Sequence, residues 1–115
     1  MCIRDRNNRE VIINCSQAII AIHKNDLSLA KLKIKKAELL LSKLKQKALG
    51  DLSRYILTPE QELVEAIALL SIIEGKQIPS YKSIKVSGES YILGLLDCIG
   101  ELKRQVIDQL SLIHI

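Results

Sequence analysis

Two pairs of acids are the residues in this sequence best placed to do chemistry. In Glu62-Leu63-Val64-Glu65 the carboxylates stand three apart, and in Asp97-Cys98-Ile99-Gly100-Glu101 they stand four apart. At either spacing both members share one face of an α-helix. Their surroundings are apolar: Val64, Ala66, Ile67 and Leu69 crowd the first pair, and Leu95, Leu96, Ile99 and Leu102 the second. A helix apolar on nearly every side is a buried one, and a buried carboxylate needs a cation or strong hydrogen bonds. Four acids from two helices could therefore converge on a hard divalent ion, Mg²⁺ or Mn²⁺, which takes oxygen ligands. Such an ion activates water and stabilises charge on a phosphodiester undergoing hydrolysis. The plainer alternative is a pair of solvated or salt-bridged faces, with Lys103 or Arg104 neutralising the acids.

A second feature is basic. Lys31, Lys33, Lys35, Lys36, Lys43, Lys45 and Lys47 are opposed only by Glu38, so Lys31–Lys47 carries +6 in a chain whose net charge is +4. A face of this kind can follow a phosphate backbone without reading bases, or it is an ordinary solvated face. Lys31, Lys35, Lys36, Lys43 and Lys47, together with Arg104, are the candidate nucleic-acid contacts. Stacking platforms are a poor fit, because Phe and Trp are absent and Tyr occurs three times. A di-iron carboxylate bundle needs Glu-x-x-His on two helices, and the sequence holds only His23 and His114. No glycine-rich phosphate loop and no Ser-His-Asp set can be assembled. Cys98, among apolar neighbours, reads as a core thiol rather than a nucleophile.

The elements that must position these groups are helices. The 115 residues suffice for one domain, and Leu, Ile and Val supply 41 of them. Apolar residues at helical spacing predict a first helix over residues 9–23 and a second from the Asn25-Asp26 caps to Gly50. The stripe Leu27, Ala30, Ile34, Ala37, Leu41, Leu44 and Ala48 faces the core. Leu32 and Leu39 fall on the opposite side, which calls for a second packing partner. Thr58-Pro59-Glu60-Gln61 offers an N-cap, a first-turn Pro and a capping box for a third helix ending at Gly75. A loop from Lys76 to Val86 leads to Ser87, the cap of a fourth helix reaching Asp108. Short connections predict an all-α antiparallel helical bundle. No apolar run is long enough to span a membrane, and three Cys without metal-ligand spacing suit a reducing, cytoplasmic setting.

The two ends read differently from the rest. Met1–Arg6 can be encoded by ATG TGT ATA AGA GAC AG, and the reverse complement of that DNA encodes Leu-Ser-Leu-Ile-His followed by Ile, the sequence of Leu110–Ile115. Both ends are expected to be adapter-derived. Residues 7–109 are then a partial helical domain, incomplete at one or both ends.

The acidic motifs and their context resemble the translin/Trax family. Tyr55-Ile56-Leu57-Thr58-Pro59-Glu60-Gln61-Glu62-Leu63-Val64-Glu65-Ala66 is similar to its Q-E-x-x-E-A segment. Tyr91-Ile92-Leu93-Gly94-Leu95-Leu96-Asp97-Cys98-Ile99-Gly100-Glu101-Leu102-Lys103-Arg104 is similar to its second signature, Y-L-x-G-x-x-D-x-x-G-E-L-x-R. The resemblance implies an all-α fold whose protomers assemble into rings or shells that bind single-stranded RNA or DNA. It further implies a catalytic, Trax-like branch in which Glu62, Glu65, Asp97 and Glu101 form a Mg²⁺-dependent endoribonuclease site. Gly94 and Gly100 match as well, for close helix packing or substrate access. Lys103 departs from the apolar residue usual there. Two other readings stay open: a non-catalytic, translin-like single-strand-binding subunit, and a helical interaction module using Leu32 and Leu39.

Overall fold

The computed structural model describes the backbone of residues 3–47 and 53–114, and the side chains of residues 6–46, 57–108 and 110. Five helices follow one another: α1 (Ile3–His23), α2 (Leu27–Lys47), α3 (Ser53–Ile73), α4 (Tyr81–Ile84) and α5 (Gly88–His114). The fold is an all-α helical bundle, with no strand among the described residues. None of its helices is long and apolar enough to cross a membrane, judged over those residues.

Local chemistry sets most of the helix ends. Asn25 closes α1 in the left-handed region at φ 62°. Its amide donates to the Ile22 carbonyl at 3.0 Å, and the Asp26 amide donates to Ala21 at 2.8 Å, so carbonyls left open by the last turn are satisfied. Asp26 Oδ1 then accepts from the Leu29 amide and opens α2. Gly75 repeats the closing turn after α3, at φ 71°. Ser87 Oγ accepts from the Ser90 amide at 3.2 Å and opens α5. The expected stop at Gly50 lies outside the described residues.

The start of α3 differs from the sequence reading. Thr58 does not cap it; the helix begins at Ser53 and runs through Pro59. A proline inside a helix removes one backbone hydrogen bond, but here its ring is fully buried, and that burial opposes the loss. Glu60 consequently serves as a tie between helices rather than as a cap residue. Its Oε1 accepts from Ser90 Oγ at 2.9 Å and from Ser87 Oγ at 3.3 Å, while its Oε2 meets Lys45 Nζ at 2.7 Å. Lys45 also donates to the Lys85 carbonyl. The ends of α2 and α5 are thereby fastened to α3.

The predicted loop from Lys76 to Val86 contains the short helix α4, capped by Ser80. Tyr91 donates to the Pro79 carbonyl at 2.8 Å, and the Tyr81 and Tyr91 rings meet at 6.1 Å with a 58° tilt. These contacts strap α4 to α5.

Val11, Cys15, Ala18 and Ile22 of α1 join Ala30, Ile34, Ala37, Leu41 and Leu44 of α2 in the core, the latter five as the stripe predicts. Helix α3 lies at the centre, packing on α1, α2 and α5. Leu32 and Leu39 are 63% and 66% exposed, so the second partner expected for that face is not supplied by the described residues.

Candidate functional site

The acidic pairs meet where α3 and α5 come closest, and a glycine permits that approach. A Cβ on Gly94 would fall 2.6 Å from Val64 Cβ and 2.7 Å from the Gln61 carbonyl oxygen. Both contacts are shorter than real Cβ atoms make, so any larger residue would force the helices apart. Gly100 has nothing within 4 Å of such a Cβ; the expectation of close packing holds at the first glycine and not at the second.

With the backbones that close, α3 and α5 exchange polar contacts directly. Gln61 Nε2 donates to Asp97 Oδ2 at 2.5 Å. Burial and the charge of Asp97 raise the Glu62 carboxyl above the ordinary range. Glu65 is buried, 8% exposed, and titrates at about 7. Burial is the main cause, followed by the charges of Glu62, Asp97 and Glu101, with Arg104 acting in the opposite direction. No hydrogen bond or ion pair reaches the Glu65 carboxylate among the described residues. A carboxyl largely withdrawn from water and set among like charges favours its protonated form.

Glu101 is differently placed. His23 Nε2, from the end of α1, lies 2.8 Å from its Oε1, and Arg104 Nη2 lies 3.1 Å from its Oε2. His23 Nδ1 faces Gln105 Nε2. The ring is thus held between Glu101 and Gln105 through its two nitrogens. Cys15 of α1 is fully buried; burial, then the charges of Glu62, Glu65 and Glu38, push its thiol up to about 12. Cys98 is pushed up to about 11 by burial, Glu65 and Glu101. Both are free and buried, protonated at neutral pH and poor nucleophiles.

All four predicted acids thus share one electrostatic neighbourhood, and the structure divides them: Glu101 is paired at both oxygens, while Glu65 has no partner. Their donor chemistry fits a hard divalent cation, being all-oxygen and in excess of nearby positive charge. Among the described residues no group of three or more His, Cys, Asp or Glu is arranged to hold a metal ion.

The lysines do not form a single face. Lys31 is committed to Glu74 at 2.9 Å. With Lys35 it borders a hollow of about 390 Å³ that also contains Leu32, Glu38 and Leu70. Lys33 borders a different hollow, with Gln17, Lys24 and Asp26. Lys35, Lys36 and Lys43 are exposed. The Lys47 side chain lies outside the described residues, and Arg104 belongs to the acidic site rather than to the lysine run.

Sequence reasoning missed His23, Gln61 and Gln105. The partners of His23 and Gln61 lie 78 and 36 residues away, and Gln61 read locally as part of a capping box. No short-range signal identifies such pairs; only the i,i+4 spacing of Glu101 and Gln105 offers a hint.

No family model matches the chain, and no solved structure matches it. An uncharacterized protein of Methanocaldococcus jannaschii is 38% identical over 113 aligned residues, which cover 90% of this chain and 48% of the relative. The chain spans about half the length of that curated relative.

Proposed function

We propose that this chain carries the acidic site of a metal-dependent endoribonuclease that binds single-stranded RNA or DNA, akin to the translin/Trax family. The observation that supports it most is Glu65, buried and without a partner among three other acids. A bound Mg²⁺ or Mn²⁺ would supply activated water and a counter-charge for the phosphodiester. Glu62, Glu65 and Asp97 would hold it, with Gln61 fixing the Asp97 carboxylate. Glu101 is the fourth acid of the set, anchored by His23 and Arg104. Lys35, Lys36 and Lys43 would meet the nucleic-acid backbone electrostatically. Two buried, free thiols suit a reducing, cytoplasmic setting.

A second reading is a non-catalytic strand-binding subunit whose acids are structural, and it draws on Glu101, already paired with His23 and Arg104. The experiment uses the complete gene product with Glu62 and Glu65 both changed to Ala. Loss of Mg²⁺-dependent cleavage of single-stranded RNA, with strand binding retained, is the expected result. Cleavage that survives the change means the acids are structural.

A further inference from the structure

His23 is the last residue of α1, next to the buried Ile22. The turn after it is closed by the Asn25 and Asp26 amides on the Ile22 and Ala21 carbonyls, so the backbone that carries the ring is fixed. The ring is engaged at both nitrogens: Nε2 lies 2.8 Å from Glu101 Oε1, and Nδ1 faces Gln105 Nε2. Glu101 and Gln105 stand four apart on α5 and share one face of it.

Arg104 cannot hold Glu101 in the same way. Its guanidinium meets Oε2 at 3.1 Å, but it stands three residues along the same helix and is 72% exposed. It therefore moves with α5 and fixes Glu101 relative to nothing else. His23 belongs to α1, which packs on α3, the helix of Glu62 and Glu65. Glu101 also acts on the Glu65 carboxyl through its charge, after burial, Glu62 and Asp97, so its placement matters to the other acids. A partly exposed pair of this kind contributes little stability. What it supplies is one orientation for a long, flexible carboxylate.

We infer that His23 is a positioning residue for the acidic site: Gln105 holds its ring, and the ring holds Glu101 in a fixed place relative to Glu62, Glu65 and Asp97. The role rests on the proposed reading of these acids as a divalent-cation site. Groups that hydrogen-bond the acids of such a site tune the ion without touching it.

Calorimetric Mn²⁺ titrations of the complete gene product, run beside RNA-cleavage kinetics, test this. His23→Ala should weaken Mn²⁺ binding and lower kcat, each by about 10-fold, with KM for single-stranded RNA unchanged. Gln105→Leu should act in the same direction and add nothing to His23→Ala when the two are combined, because it works through the ring. His23→Gln, whose amide nitrogen reaches about as far as Nε2, should recover most of the loss. Native affinity in His23→Ala, or a His23→Gln no better than His23→Ala, overturns the role. Losses that multiply in the double variant overturn the part given to Gln105. Changing Glu62 and Glu65 together to Ala separates the two levels. If Mn²⁺ binding survives that change, the cation-site reading falls and the role of His23 falls with it. If that change abolishes binding while His23→Ala leaves it intact, the role of His23 alone falls.

Discussion

His23 joins α1 to α5 through Glu101: Nε2 lies 2.8 Å from Oε1, across 78 residues of sequence. Both side chains keep some contact with water, at 29% and 19% exposure, which limits the pair's strength. His23→Ala should therefore lower stability by less than about 1 kcal/mol in urea titrations, as exposed pairs do. A loss above about 2 kcal/mol would show that the contact holds the bundle together rather than orienting Glu101.

The Glu65 carboxyl makes a prediction about pH. Its native value is about 7 against an ordinary 4.5, so between these values the folded chain holds a proton that the unfolded chain has released. Its favourable contribution is complete below about pH 4.5 and is lost as the pH rises through 7, on the order of 3 kcal/mol. Glu65→Gln should flatten this dependence and raise stability at pH 8, in urea titrations compared between pH 5 and pH 8. An unaltered pH profile in the variant would mean that Glu65 is already paired.

The same sign governs cations. A divalent ion binds the ionised carboxylates, so Mn²⁺ should raise the melting temperature at pH 8 and do little at pH 5. An ion at a hundred times its dissociation constant adds about 2.7 kcal/mol. Equal shifts in native protein and Glu65→Gln would place the ion elsewhere.

Two glycines of one helix should respond in opposite directions to alanine. Gly94→Ala puts a methyl group into Val64 and the Gln61 carbonyl, and should cost about 1–3 kcal/mol while separating Gln61 from Asp97. Gly100→Ala meets open space and should stabilise α5 by about 0.5–1 kcal/mol through helix propensity. Thermal melts of both variants decide this, and destabilisation by the second would mean that Gly100 faces a neighbour.

Glu60 ties three helices, so its loss should be felt well beyond α3. Glu60→Ala removes the acceptor shared by Lys45, Ser87 and the fully buried Ser90, and should cost about 2–4 kcal/mol. Glu60→Gln keeps an acceptor and should lose less. Equal losses in denaturant titrations would assign the effect to side-chain volume instead.

What could be read in the sequence was what is decided locally. The caps at Asp26 and Ser87, the stop at Gly75 and the α2 stripe from Leu27 to Leu44 depend on neighbours three to seven residues away, and these are found where expected, while Ala48 lies outside the described residues. Thr58-Pro59 misled because a local start signal competes with burial, and burying the Pro59 ring in a continuing helix won. The acidic pairs were visible as spacing, but their separation into a paired Glu101 and an unpaired Glu65 was not. That difference comes from His23 and from the close approach at Gly94, both products of how the helices cross.

The strap between α4 and α5 has an optical consequence. Without Trp or Phe, the near-ultraviolet dichroism of this chain arises chiefly from three tyrosines, and two of these are the tilted Tyr81–Tyr91 pair. Peeling α4 away would quench much of that band while the far-ultraviolet helical signal persisted. The molecule thus carries its own spectroscopic probe, one that distinguishes detachment of a single short segment from melting of the bundle.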